Sequence, residues 1–335
     1  MENCKVPFRS EDELCTDLVL KQGQLVSRSQ GQYLPKHPLI SLDNDVLLPF
    51  VEKELLTPLL DQMSPWLWVL AAPTSAHVSA LHAQVVRGRS IVITEDPELH
   101  LVWISNRVFV KPLPAYLLSH AFWSYLVVSS EAASEKDRHR IRKILNVASG
   151  YVRTYSYLIQ HESDLRIARR EGLVPRELDL ETWAAFIRRF KAVEDMQVSG
   201  RYQYGELRLT RLNIWAKPLL GRWYFRKVYW QYTEYFAKYF APLLFIFGMW
   251  TLVLESMQVG LQARPRWDAF GDVSAWFSVA TLIGVSAVAA FLLGSFCVLA
   301  GREMRYAFGE QIRKRKRRGK VKTARGSKVD PGGEA

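Results

Sequence analysis

VSAWFSVATLIGVSAVAAFLLGSFCVLAG, from Val273 to Gly301, is a run of 29 consecutive uncharged residues. A helix rising about 1.5 Å per residue needs roughly 20 apolar residues to cross a hydrocarbon layer of about 30 Å, so this run is long enough with margin. A second run precedes it: YFAPLLFIFGMWTLVL, Tyr239 to Leu254, carries no charge over 16 residues and is followed by Glu255. With its weakly polar flank it can span the same layer. Two such runs around a short polar loop predict a transmembrane helical hairpin. The competing reading is a core helix of a soluble protein, in which both runs would be covered by protein. Ser286, Ala290 and Gly294 recur every four residues, which predicts a small-residue face packing on the first helix.

Orientation follows from the cations, because Lys and Arg are disfavoured on the translocated side. Arg208, Arg211, Lys217, Arg222, Arg226, Lys227 and Lys238 precede the first run, while Arg302, Arg305 and the block RKRKRRGK from Arg313 to Lys320 follow the second. The loop between them holds only Arg264 and Arg266, offset by Asp268 and Asp272. Both termini are therefore expected in the cytosol, at the endoplasmic reticulum, nuclear envelope or plasma membrane. From Arg302 onward twelve Lys and Arg stand against four acids, which is +8 of the chain's +12. The basic balance thus belongs largely to a membrane flank, and nucleic acid is not an implied partner.

Over all 335 positions the chain is 49% hydrophobic and 23% charged, an average that would pass as soluble and leaves enough chain for one sizeable core or two smaller ones. The three cysteines, Cys4, Cys15 and Cys297, form no CxxC pair. Neither a disulfide framework nor a zinc module is implied, and no cofactor is expected. The opening MENCKVPFRSEDELC lacks the apolar core of a cleavable signal, so the internal runs are expected to direct insertion.

Helix signals dominate upstream. Ser10 with Glu13 reads as a capping box, and Asp45 to Met63, Ser75 to Val86, Tyr116 to Val128 and Asp137 to Arg170 read as helices. Gly172 and Pro175 then mark a stop, and Asp179 caps a helix to about Asp195. Ile91 to Thr94, Leu99 to Ile104 and Val108 to Lys111 read as strands broken by EDPE and SN turns. The expected fold class is mainly α with a small antiparallel β meander and a C-terminal transmembrane helical hairpin. Its parts are an N-terminal segment, 1–34, partly disordered; a cytosolic helical domain, 35–210; an aromatic and basic amphipathic helix, 211–238; spans at 239–259 and 273–300 around a short loop, 260–272; and a basic tail, 301–335, largely disordered.

The segment WAKPLLGRWYFRKVYWQYTEYFAKYF, Trp215 to Phe240, places Phe225, Val228, Tyr229, Tyr232, Phe236, Tyr239 and Phe240 at three- and four-residue steps. Such a helix either lies in the lipid headgroups or packs on the soluble domain. On the first alternative, Trp223, Arg226, Lys227, Trp230 and Lys238 meet lipid headgroups, as do Arg313, Lys314, Arg315, Lys316, Arg317 and Arg318 of the tail.

The combination of HLVWISNRVFVKPLPAYLLSHAFW (100–123), TYSYLIQHESDLRIARREGLVP (154–175) and VSGRYQYGELRLTRLNIWAK (198–217) resembles a family of uncharacterised filamentous-fungal membrane proteins with two spans. The resemblance covers about residues 35–305 and implies the same architecture, with no activity to carry over. Some relatives bear a subtilisin-like protease label, but neither a subtilisin Ser/His/Asp context nor a GxSxG elbow is present here.

Four residues stand out as functional candidates. Glu255 is an ionisable group at the edge of a span, and an intramembrane charge points to function unless it reaches the surface by snorkelling. His161 and Glu162 sit in the polar cluster QHESDLR, and Arg201 sits between Gly200 and Gly205 in a loop with phosphate-binding composition. None has the spacing of a metal or P-loop motif. A membrane-tethered interaction or scaffolding module, with the bilayer, anionic headgroups or a cytosolic protein as partner, is the leading expectation. A membrane-bound enzyme on a lipid-like substrate using His161 and Glu162 is the alternative, and an oligomeric transporter or channel is the third.

Overall fold

The computed structural model describes residues 6–28, 31–72, 74–226, 232–264, 266–291 and 293–294, with the backbone alone for 232–239. The chain divides into two compact units, Met1–Val228 and Tyr229–Ala335. Cys4, Lys227, Trp230, Cys297 and the tail with Arg313 to Arg318 lie outside the described residues, as does the side chain of Lys238.

The first unit opens with two small hairpins, β1 (Leu18–Lys21) with β2 (Gln24–Ser27) and β3 (Tyr33–Leu34) with β4 (His37–Ser41). The β1–β2 turn uses Gln22 and Gly23 at φ 50° and 80°, the left-handed pair that a two-residue hairpin loop requires. Next come α1 (Asn44–Leu55), α2 (Pro58–Met63), the single turn α3 (Leu67–Leu70) and α4 (Leu81–Val86). A four-stranded sheet is formed by β5 (Ser90–Ile93), β6 (Val102–Ile104), β7 (Arg107–Val110) and the distant β8 (Leu207–Arg208), in the order β5-β7-β6-β8. Helices α5 (His120–Ala132), α6 (Glu135–Leu158), α7 (Glu162–Arg170), α8 (Leu180–Lys191) and α9 (Leu209–Leu220) complete the unit.

The centre of this unit is α6. Ser134 caps its N-terminus by accepting the Asp137 N–H, and Glu135 and Asp137 favour the positive end of the helix dipole. Its first turns, EKDRHR, are mostly solvated, whereas Ile144, Leu145, Ala148, Tyr151, Val152 and Tyr155 are buried at helical spacing. Helices α1, α5 and α8 pack around it. An aromatic cluster closes one side, where Phe8 from the N-terminal segment lies 4.8 Å from Phe186 and 6.3 Å from Trp123 between ring centroids.

The expected mainly helical fold with short strands and an apolar helical pair is the observed one, and five local differences have identifiable causes. The helix expected over 45–63 breaks at Leu56 and Thr57, because Pro58 pushes the residue before it out of the helical region. Ser10 does not form a capping box; Glu13 instead accepts the His120 N–H at 2.9 Å and caps α5. The helix expected over 137–170 breaks at Ile159–His161, because Asp164 takes the N–H groups of Gln160 and His161. The helix expected over 75–86 shortens to α4, because the stretch before it is bonded to Gly205 and Glu206: the Thr74 and His77 carbonyls accept their N–H groups, and the Ser79 N–H donates to the Glu206 carboxylate. In the sheet, β6 and β7 form the antiparallel hairpin around Ser105 and Asn106, but β5 pairs with β7 in parallel and β8 joins β6 in parallel. Pro97 starts a 3-10 turn after Asp96, so the EDPE stretch crosses over instead of closing a hairpin.

Gly150 of α6 faces Tyr202 so closely that an added Cβ would stand 2.6 Å from the Tyr202 Cβ. Alanine is the better helix former by about 1 kcal/mol, yet overpacking here costs about 1–3 kcal/mol. Gly150→Ala is therefore expected to lower the thermal unfolding midpoint of the full-length chain in detergent, and an unchanged or raised midpoint would contradict the packing.

The second unit consists of α10 (Tyr232–Ala263) and α11 (Asp268–Phe291). A Cβ on Gly260 would meet Phe270, and one on Gly284 would touch Trp250. Residue numbers thus fall on one helix as they rise on the other, so the pair is an antiparallel hairpin. On α11 the partly or fully covered positions are Phe270, Gly271, Ser274, Phe277, Thr281 and Gly284, whereas Ser286 and Ala290, and Gly294 beyond it, are exposed. Small residues do line the seam, but they are Gly271, Ser274 and Gly284, not the expected 286–294 stripe. Glu255 is exposed, off the seam, eight residues before the end of α10.

Candidate functional site

Three polar clusters in the first unit use side chains that resemble chemistry. The first is a buried knot around His100 and Arg201. His100 Nδ1 accepts the Lys111 N–H at 3.2 Å, which leaves the ring proton on Nε2, 2.9 Å from Thr154 Oγ1. Burial, and then the charges of Arg201 and Lys111, hold the imidazole well below its usual pKa and therefore neutral. Arg201 is 1% exposed and donates to the carbonyls of Tyr204, Gly205 and His100 at 2.9–3.0 Å. Burial lowers its pKa to about 10. It fastens the chain before β8 to the turn before β6, and its two terminal amino groups face carbonyls instead of an open anion site.

Gly205 belongs to the same clamp. A Cβ there would stand 2.0 Å from the His77 carbonyl oxygen, so the backbone passes at a distance only glycine permits. Beside it, Glu206 accepts from Ser79 N–H, Gln84 and Arg89, and the guanidinium of Arg89 lies 4.2 Å over Trp103. Lys111 is also buried; its ammonium bonds Glu54 and lies 3.0 Å from the Glu95 carboxylate, while Tyr151 and Tyr155 donate to its carbonyl.

The second cluster joins two helix starts. The Asp164 carboxylate accepts the His82 N–H and approaches its ring Nδ1, both at 2.7 Å, and also accepts the N–H groups of Gln160 and His161. Burial works against the charge, but these bonds outweigh it and hold the carboxyl below its usual range. His161 is exposed, with its ring 5.4 Å from that of His82. Glu162 is exposed and pairs with Arg169 at 3.4 Å. The structure therefore brings His161 beside a His–Asp pair that sequence reasoning missed, since His82 lies far away in the chain, and turns Glu162 towards Arg169.

The third cluster concerns the stem. The continuous helix expected over 211–238 ends at Leu220, where Gly221 adopts φ 63° and its N–H returns to the last turn. Phe225 then tucks in at 2% exposure, and the N–H groups of Phe225 and Arg226 both bond Asn213 Oδ1. Arg226 pairs with Asp96 at 2.7 Å, while Trp223 stays exposed beneath the Lys217 ammonium. Of the two alternatives for this segment, Phe225 and Arg226 follow the packed one, and Trp223 follows the exposed one.

Beneath Arg226, Glu98 is buried and accepts the Leu59 and Leu60 N–H groups at the start of α2, at 2.7 and 3.2 Å. Burial pushes its carboxyl up to about 7, against those two bonds and the charge of Arg226.

A family model described as a family of unknown function (DUF6601) matches residues 47–285. The chain belongs to that family. The matched span runs from within α1 far into α11, so it takes in parts of both units and leaves out the hairpins β1–β2 and β3–β4. No curated protein matches the chain, and no solved structure does.

The pH dependence of stability follows from Glu98 and His100. Between pH 4.5 and about 7, folded Glu98 keeps a proton that the unfolded chain has released, so stability is lost as pH rises through that window, by about 3 kcal/mol in all. Buried neutral His100 acts oppositely, since only the unfolded chain takes up a proton below 6.5. Glu98→Gln removes the first slope alone. Its unfolding midpoint is expected to rise more steeply than that of the native chain between pH 5 and pH 7; parallel curves would refute the assignment.

Proposed function

We propose that this member of the family is a membrane-anchored interaction module, with α10 and α11 crossing the bilayer as a hairpin and the N-terminal domain held at the cytosolic surface. One observation carries the reading. In the most apolar 18 residues of each candidate span, none is buried in the first, Phe240–Ala263, and 11% are in the second, Asp268–Phe291, so large apolar side chains face outward nearly all round. Phe245, Phe247, Leu252, Leu282 and Phe291 are among them. A core helix of a soluble protein would have these covered.

Each span has 24 residues, about 36 Å of helix, against a hydrocarbon layer of about 30 Å. The cation-rich flanks favour the hairpin's open end in the cytosol. Glu255 then sits towards the loop end of α10, about 12 Å of helix from Ala263. In the N-terminal domain, Arg201, Lys111 and Asp164 hold the fold together through bonds to other parts of the chain. That use of the polar groups supports an interaction module over the lipid-directed enzyme.

Alkaline carbonate extraction of membranes expressing the full chain tests the anchor. The native chain is expected in the pellet, and a Phe247→Arg/Leu282→Arg double variant is expected to lose insertion, each arginine costing about 2.5–3.5 kcal/mol at a span centre. Release of the native chain into the supernatant would contradict the proposal. Proximity labelling from an N-terminal tag is expected to enrich cytosol-facing proteins, and enrichment of lumenal ones would reverse the orientation.

A further inference from the structure

The first unit has a second unusual surface. The segment SPWLWVLAA, 64–72, has no charged residue, and LTRLNIWAKPLLGRWYFR, 209–226, has four cations and no acid. The fold brings these distant stretches together, since Arg211 of α9 donates to the Leu70 carbonyl at the end of α3 at 3.1 Å. Trp215 lies one turn further along the same side of α9. On the opposite flank, Asn213 holds Phe225 and Lys217 sits 4.0 Å over Trp223. The indoles are not buried by this meeting: Trp66 is 51% exposed, Trp68 61% and Trp223 65%, with Ile214 at 71% between them.

We infer that this surface, formed by α3 with its preceding turn, the outer side of α9 and residues 221–224, is a bilayer-contact face that seats the N-terminal domain on anionic lipid. The inference rests on the hairpin being membrane-inserted. Tryptophan is favoured at the headgroup level, where its apolar ring and its N–H are both accommodated, and lysine and arginine reach anionic lipid from there. Arg211 and Arg226 are held by the protein, and Lys217 and Arg222 supply the outward charge. A second copy of the chain fits less well. In a two-fold interface this face would meet itself, and a face with cations and no acids repels its own image. Only twelve residues, 227–238, separate Arg226 from the uncharged run that begins at Tyr239, so the tether to a membrane is short.

The test uses the full-length chain with Cys4→Ser, Cys15→Ser and Cys297→Ser. An environment-sensitive dye is placed on Trp68→Cys or Trp223→Cys, on Leu39→Cys as a solvent control, or on Phe247→Cys as a span control. Each variant is reconstituted in phosphatidylcholine vesicles with or without phosphatidylserine, and quenching by shallow spin-labelled lipid is measured. Dyes at 68 and 223 are expected to lose fluorescence to the shallow quencher, more so with phosphatidylserine, while the dye at 39 does not. Equal solvent exposure at 68, 223 and 39 overturns the inference. So does shielding at 68 and 223 without lipid quenching, which would mark a protein occupant. If the dye at 247 is unreachable by deep spin-labelled lipid, the hairpin reading itself fails, independently of the dyes at 68 and 223.

Discussion

Phe245, Phe247, Leu252, Leu282 and Phe291 point away from a pair of helices that cover each other along one narrow seam. Apolar surface of that extent is strongly disfavoured in water, at about 25 cal/mol per Å². Inside hydrocarbon the same surface costs nothing, and the helical backbone has already satisfied its own polar groups. The seam is correspondingly modest. Gly260 lies under Phe270 and Gly284 under Trp250, so a small residue on one helix receives a ring from the other, and van der Waals packing replaces a hydrophobic core.

The N-terminal domain is built on the opposite principle. Its centre contains charges that would be costly if unpaired, and each is embraced by another part of the chain. Arg201 ties the segment before β8 to the chain before β6 through the His100 carbonyl, Lys111 joins Glu54 and Glu95, and Asp164 closes the starts of α4 and α7 with one carboxylate. The bonds of Arg201 to His100, of Asp164 to His82 and of Lys111 to Glu54 cross 101, 82 and 57 residues of sequence, so they fix which elements adjoin. They also explain why the polar residues most suggestive of chemistry are the ones used for architecture.

The hairpin was legible because hydrophobic length is a local property of sequence, and so were α8, whose cap Asp179 bonds the Thr182 N–H, and the stop at Gly172, with φ 71°. What escaped depends on partners far away in the chain. Glu13 caps α5 across more than a hundred residues, β8 joins the sheet from position 207, and His82 meets Asp164 from another helix. The 211–238 helix had the right periodicity, but Gly221 outweighed it. The seam of α11 was misplaced by half a turn because small residues occur on several of its faces, and only the facing rings select one.

The claim on which the rest depends is that α10 and α11 cross a membrane with both flanks on one side. The most direct measurement is glycosylation mapping of the full chain in microsomes, with acceptor sequons placed in a lengthened 264–267 loop, at the N-terminus and in the tail. The account predicts glycosylation of the loop alone. Glycosylation of either terminus, or of no site in a chain that carbonate releases, would contradict it.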